Sequence, residues 1–216
     1  MSYQWNWGVF LQPSASGDDT YLGWMLAGFK MTIALSLTAW VLALLLGALI
    51  GVLRTVPNKA LAGFATGYVE LFRNVPLLVQ LFIWYFVLPE LLPESIGNAY
   101  KQSNPMLQQF LASMVCLALF TSARVAEQVR SGINSLPRGQ KNAGLALGFT
   151  LPQTYRFVML PMAFRLVVPP LTSEFLNIFK NSAVCSTIGL MELAAQGRQL
   201  VDYTAQPYES FIAVTL

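Results

Sequence analysis

A chain this poor in charge and this rich in apolar residues, with one long uncharged run, is predicted to be an all-α polytopic membrane protein. Of its 216 residues 55% are hydrophobic and only 11% charged, whereas soluble domains carry about 25% charged residues. The mean hydropathy is +0.54. Met31–Leu53 runs 23 residues without an ionisable side chain. At about 1.5 Å per residue such a helix reaches roughly 34 Å, enough for a hydrocarbon core of about 30 Å.

The spans follow in order along a single domain, 1–216. The first is placed over 26–53; it starts too late and runs too long for a cleaved signal, and Met1–Phe10 has no basic n-region. The second, 60–89, is interrupted by Glu70, Arg73 and Pro76. The third, 106–130, opens with 18 uncharged residues and ends with Arg124 and Glu127. The fourth, 162–191, contains Pro169-Pro170, Glu174 and Lys180. A fifth begins at 210–216, and seven residues extend only about 10 Å as a helix. Five spans are therefore expected, the last of them truncated.

Loop charge sets the expected orientation. Arg54 and Lys59 follow the first span, and Arg130, Arg138, Lys141, Arg156 and Arg165 surround the 131–161 loop, with no acidic residue between Gln128 and Ser173. The opposite segments hold Asp18, Asp19, Glu90, Glu94, Asp202 and Glu209. The positive-inside rule places the 131–161 loop in the cytoplasm and the N-terminus outside. Trp5, Trp7, Tyr21 and Trp24 then suit an outer aromatic belt.

Several chemistries are excluded. There is no histidine, which removes Ser-His and Cys-His catalysis and histidine-bearing zinc sites. A net charge of +3 is too small for a nucleic-acid footprint. Cys116 and Cys185 lie in apolar surroundings and read as small hydrophobes. Glu70, Glu127, Glu174 and Glu192 are scattered, without a metal-ligand spacing.

The 131–161 loop is patterned. Asn134-Ser135-Leu136-Pro137 predicts a capped helix start, and 138–147 is rich in helix formers with Gly148 as the left-handed stop. Thr150 and Gln153 have capping-box spacing and open a second short helix that Leu160-Pro161 should end. Two readings follow from the residues alone: an amphipathic hairpin on the headgroups, or a plug whose small residues Ala143, Gly144, Ala146 and Gly148 fit a partner's groove.

Charges at membrane depth cost about 2.5–3.5 kcal/mol each on insertion scales, so each needs a reason. Glu70 and Arg73 are three apart and can neutralise each other; alternatively Arg73 with Asn74 faces an anionic substrate. Pro76 frees the carbonyl of Phe72, predicting a kink. Arg124 and Glu127 repeat the three-residue spacing, and Arg124 is expected to snorkel. Pro169-Pro170 predict a broken helix, the place where transporters put polar substrate groups. Glu174 and Lys180 are six apart, about 240° net around a helix, so they face different ways. A substrate path and a structural ion network are both open for them. On the former, Lys180 and Arg73 suit carboxylates and Glu174 an ammonium.

The run Asn142-Ala143-Gly144, then Gly148, then Val158-Met159-Leu160-Pro161 resembles the EAA motif of ABC-importer permeases, with Asn142 where the family has glutamate and Gly144 where it has its second alanine. The segments Tyr68–Gln80, Ala126-Glu127, Ser135–Gln140, Pro169–Leu171, Lys180-Asn181-Ser182 and Ile188-Gly189 are similar to the polar amino-acid branch, and the whole is most similar to glutamate/aspartate importer permeases of Gram-negative bacteria. The resemblance implies a type I importer permease fold in a bacterial inner membrane. It implies a paralogous permease, two ATP-binding subunits and a periplasmic amino-acid-binding protein as partners. It also implies coupling through Arg138, Asn142, Ala143, Gly144, Gly148, Leu160 and Pro161, and it adds Ser182 to the expected substrate path of Arg73, Asn74, Glu174 and Lys180. No cofactor is expected in this chain, since the G-x-x-x-x-G-K-[ST] loop is missing; ATP and magnesium would sit in the partner ATPase, and this chain is expected not to be an enzyme. An ion-gradient carrier or channel is the alternative, though no internal repeat supports it.

Overall fold

The structure, a computed structural model, describes residues 3–215, the side chain of Arg138 excepted. In chain order the helices are α1 (Tyr21–Leu53), α2 (Lys59–Asn74), α3 (Leu77–Phe82), α4 (Leu88–Leu91), α5 (Glu94–Lys101), α6 (Pro105–Asn134), α7 (Arg138–Ala146), α8 (Leu151–Thr154), α9 (Leu160–Ser182), α10 (Leu193–Thr204) and α11 (Pro207–Thr215). π turns at Ile83–Val87 and Tyr155–Met159 join α3 to α4 and α8 to α9. The helix begun at 210–216 is α11; Leu216 lies outside the described residues.

Helices α1 and α6 are long and apolar enough to cross a membrane, while α2 and the stretch Leu77–Leu91 qualify only as a pair bent by 101°. The bend has a local cause. Val75, before Pro76, is extended (φ −88°, ψ 128°), as the clash with a following proline ring requires. The carbonyl of Phe72, which loses its donor to Pro76, accepts instead from Gln80 Nε2 at 2.9 Å, and the same amide reaches Val75 O at 2.9 Å. Gln80 is buried, so both freed acceptors are satisfied without water.

Two expected breaks do not occur. Helix α9 runs unbroken through Pro169 and Pro170. Each proline removes one donor, leaving only the carbonyls of Arg165 and Leu166 without their i→i−4 bonds, and Pro169, Arg165 and Leu166 all lie on the exposed side. Leu160-Pro161 likewise begins α9 and does not end α8. The Leu160 N–H bonds back to Tyr155 O across the π turn, and this five-residue register is handed on before Pro161 is reached. The other π turn does the same, with Leu88 N–H on Ile83 O ahead of Pro89. A π turn followed by Leu-Pro thus carries the chain through a proline twice.

Two compact units result. One comprises residues up to Thr38, Leu81–Met114 and residues from Phe179 on; the other comprises Ala39–Gln80 and Val115–Ile178. In the first, Val9, Tyr21, Met25 and Leu200 form the core. Glu192 caps α10 by accepting from the N–H groups of Ala194 and Ala195. Glu209, fully buried, takes hydrogen bonds from the Tyr3 hydroxyl and the Asn6 N–H. Trp5 and Trp7 are exposed and stacked, whereas Trp24 packs edge-on against Tyr21 and Tyr203.

In the second unit α2 lays Ala65 and Val69 against Ile50, Ala123 and Ala126, and the Tyr68 hydroxyl meets Ser122 Oγ at 2.7 Å. Helix α1 approaches α6 through Gly47 and Gly51. A Cβ at either would lie 2.6–2.7 Å from a carbonyl of α6, Ser122 O or Ala126 O. Small residues four apart let two helix backbones touch, and in lipid such van der Waals contact, not the hydrophobic effect, drives association. Val125, Val167 and Leu171 continue this core beside Trp40 and Leu44.

Candidate functional site

The patterned loop is an elbow held by its own backbone. Helix α7 has Pro137 at its N-cap with no side-chain cap. Asn134 and Ser135 do not cap it: Asn134 ends α6, and Ser135 Oγ donates to Gly132 O at 2.8 Å. The C-terminus of α7 closes as expected. Gly148 has φ +85°, its N–H bonds to Leu145 O at 3.0 Å, and Phe149 N–H bonds to Gly144 O at 3.2 Å. This pair of bonds is the Schellman closure, which needs a left-handed residue at that position. A Cβ on Gly148 would meet nothing within 4 Å, so the requirement is backbone conformation and not space. Gln153 Oε1 then accepts from Thr150 N–H at 2.8 Å, completing one arm of the capping box of α8.

Gly144 serves differently. A Cβ there would sit 2.7 Å from Thr154 Cγ2, so glycine is what lets α7 close onto the buried Thr154. Asn142 and Ala143 are exposed, as are Leu145, Leu147 and Phe149. Phe157 lies 6.3 Å from Phe149, with the Arg156 guanidinium 5.5 Å over its ring. Of the remaining elbow residues, Arg138 opens α7 with its side chain outside the described residues. Leu160 packs against the cluster of Ile133, Tyr155, Met159 and Ala163, and Pro161 is exposed. Under α7 lies a cleft of about 500 Å³, lined among others by Thr55, Asn134, Lys141, Asn142 and Tyr155. The Tyr155 hydroxyl closes its floor by donating to Thr55 O at 2.8 Å.

The charges regroup across helices. Arg73 pairs with Glu127 of α6 at 3.2 Å and forms no ion pair with Glu70 among the described residues; Glu70 and Asn74 are exposed. Glu127 also binds Arg54, at the end of α1, and Arg130 at 3.6 Å. Arg124, expected to snorkel, is exposed but also turns toward α9, and it forms no ion pair with Glu127 among the described residues. Its guanidinium lies 3.9 Å from Glu174 Oε1 and 5.0 Å over the Phe120 ring. Glu174 is 8% exposed, and its Oε2 is buried without a hydrogen-bond partner. Lys180 is exposed on the same helix, on a different face from Glu174, and the buried Ser182 donates to Phe179 O at 2.7 Å. Arg54 and Arg124 were not legible as partners of these carboxylates, because each pair joins residues at least 50 positions apart.

Residues 43–216 match the family described as binding-protein-dependent transport system inner membrane component. The chain is 61% identical over 217 residues to the glutamate/aspartate import permease protein GltJ of Escherichia coli (strain K12), covering 100% of this chain and 88% of that protein. It is 31% identical to the glutamate/aspartate import permease protein GltK of Escherichia coli O157:H7, over 88% of this chain and 80% of that one. Among solved structures, the crystal structure of an amino acid ABC transporter with histidines superposes with a TM-score of 0.75 at 31% identity, over 90% of this chain and 86% of that chain. With an all-helical permease fold and a family match that takes in the elbow and both carboxylates, this chain belongs to the inner membrane components of binding-protein-dependent transport systems.

Proposed function

We propose that the chain is a permease subunit of an ATP-driven importer that moves glutamate and aspartate into the cytoplasm. The carrying observation is the elbow: an α7–α8 corner closed by backbone hydrogen bonds that exposes Leu145, Leu147 and Phe149 on a chain lacking a phosphate-cradling loop. An exposed apolar patch on an internally fixed corner suits a protein contact better than a lipid-lying helix. Energy arrives there from a separate ATPase subunit that holds ATP and magnesium. A paralogous permease completes the pore, a periplasmic binding protein delivers the amino acid, and the N-terminus lies in the periplasm, in keeping with the loop charges. The relatives named for glutamate/aspartate import support the acidic substrate.

Along the translocation path, Glu174 takes the substrate ammonium on its unpartnered oxygen, while Lys180 and Ser182, which face other ways on the same helix, act at separate points, Lys180 on a carboxylate. Arg73 and Asn74 stand at the α2–α3 bend, with the Arg73 guanidinium engaged by Glu127.

The experiment is uptake of radiolabelled glutamate by the four-component assembly, competed by aspartate, glutamine and histidine. Competition by aspartate alone is expected; equal competition by glutamine overturns the acidic assignment. In the same assay Gly148→Leu, which forces a bulky side chain to φ +85°, should cost at least tenfold in uptake and release the ATPase. Normal ATPase recruitment by that variant would remove the elbow from coupling.

A further inference from the structure

The Glu127 cluster is unbalanced. Three guanidinia, Arg54, Arg73 and Arg130, converge on one carboxylate, leaving a local excess of two positive charges. Donors are in greater surplus: three arginines bring roughly fifteen N–H groups to the about four lone-pair sites of a carboxylate. Arg54 is 94% buried at its side chain (6% exposed), and its Nε has no acceptor. Arg73 and Arg130 remain 49% and 40% exposed. Both therefore keep N–H groups open to a further acceptor.

The surroundings specify the missing acceptor. Leu71 and Leu49 are exposed apolar side chains of α2 and α1, the helices that lead to Arg73 and Arg54. Glu70 is the carboxylate nearest in sequence to Arg73, and it makes no ion pair among the described residues. A group that sits on guanidinia at the ends of apolar membrane helices is anionic at one end and hydrocarbon at the other. Arginine forks match phosphate oxygens bidentately, and basic pockets at membrane helix ends are where anionic headgroups dock.

We propose that Arg54, Arg73 and Arg130 form a binding site for the phosphodiester of an anionic phospholipid, with Glu127 holding the three guanidinia in place. The lipid neutralises the excess charge, and its acyl chains lie in the bilayer. The site needs only that the chain reside in a bilayer, and it gives Arg73 to the lipid in place of the substrate path.

The test uses the full chain, extracted from membranes and reconstituted in nanodiscs of phosphatidylcholine with and without phosphatidylglycerol. Retained lipid is counted by native mass spectrometry after gentle detergent release. Wild-type protein should keep phosphatidylglycerol over phosphatidylcholine, and Arg73→Gln/Arg130→Gln should lose that preference by about tenfold, the loss expected for charge-assisted hydrogen bonds. Millimolar inorganic phosphate should not displace the lipid. Equal retention of phosphatidylglycerol by the double variant overturns the site. Displacement by inorganic phosphate overturns the lipid and leaves a free-anion site. If the glutamine pair fails to fold, Arg73→Lys/Arg130→Lys keeps the charge and loses the forks. A preference unchanged in that variant also overturns the proposal.

Discussion

Glu127 and Glu174 are two carboxylates in one unit of the same chain, treated in opposite ways. Glu127 is a third exposed and receives three guanidinia from three points of the fold. Glu174 is nearly buried, has one guanidinium at 3.9 Å, beyond hydrogen-bond reach, and keeps one oxygen with no partner. An unsatisfied buried acceptor costs about 1–3 kcal/mol, more when charged. Glu127 ties α1, α2 and α6 together through its three guanidinia, whereas Glu174 keeps an acceptor to spare.

The strongest way to break this contrast is Glu127→Gln. It leaves Arg54 buried with no counter-charge, and removing one partner of a buried pair costs roughly 3–5 kcal/mol; with Arg73 and Arg130 half in solvent, about 3 kcal/mol is expected. Thermal unfolding in detergent should show a lowered midpoint, and less protein should reach the membrane. A midpoint equal to wild type would mean that Glu127 is not the tie.

Glu174→Gln should behave the other way round. No close ion pair is lost, so stability should move by less than about 1 kcal/mol. Glutamate uptake should fall about tenfold or more, the worth of a charge-assisted hydrogen bond to an ammonium. A variant equally destabilised and inactive would place Glu174 with Glu127 as a structural group and end the comparison.

How far the sequence foretold these two sites depended on range. The helical class, the elbow and its glycine stop were legible, because Gly148, Thr150 and Gln153 act within five residues of one another. The kink at Pro76 was legible for the same reason, though its repair by Gln80 was not. Local rules failed where a tertiary partner outbid a neighbour. Glu70–Arg73 and Arg124–Glu127 have intrahelical spacing, yet Arg73 and Arg124 each choose a residue on another helix. Pro169-Pro170 and Leu160-Pro161 read as stops because propensity counts lost donors, while the fold supplies an exposed face and a π turn to absorb them. The Gly47/Gly51 pair was a visible small-xxx-small signal that went unread; it is what brings α1 onto α6 near Arg54 and Glu127.

The finest test of the contrast is a pair of double-mutant cycles. Arg124→Gln alone should cost about 0.5 kcal/mol or less, since the Arg124 side chain is 46% exposed and its ion pair is long. Combined with Glu174→Gln, the two effects should add, giving a coupling near zero by thermal or denaturant unfolding. The cycle of Arg73→Gln with Glu127→Gln should instead give a coupling of about 1 kcal/mol, because that pair is at 3.2 Å within a network. Equal couplings in the two cycles would show that the 3.9 Å separation is closed in solution. Glu174 would then carry a full partner at rest, and a substrate ammonium would have to displace Arg124 before it could bind.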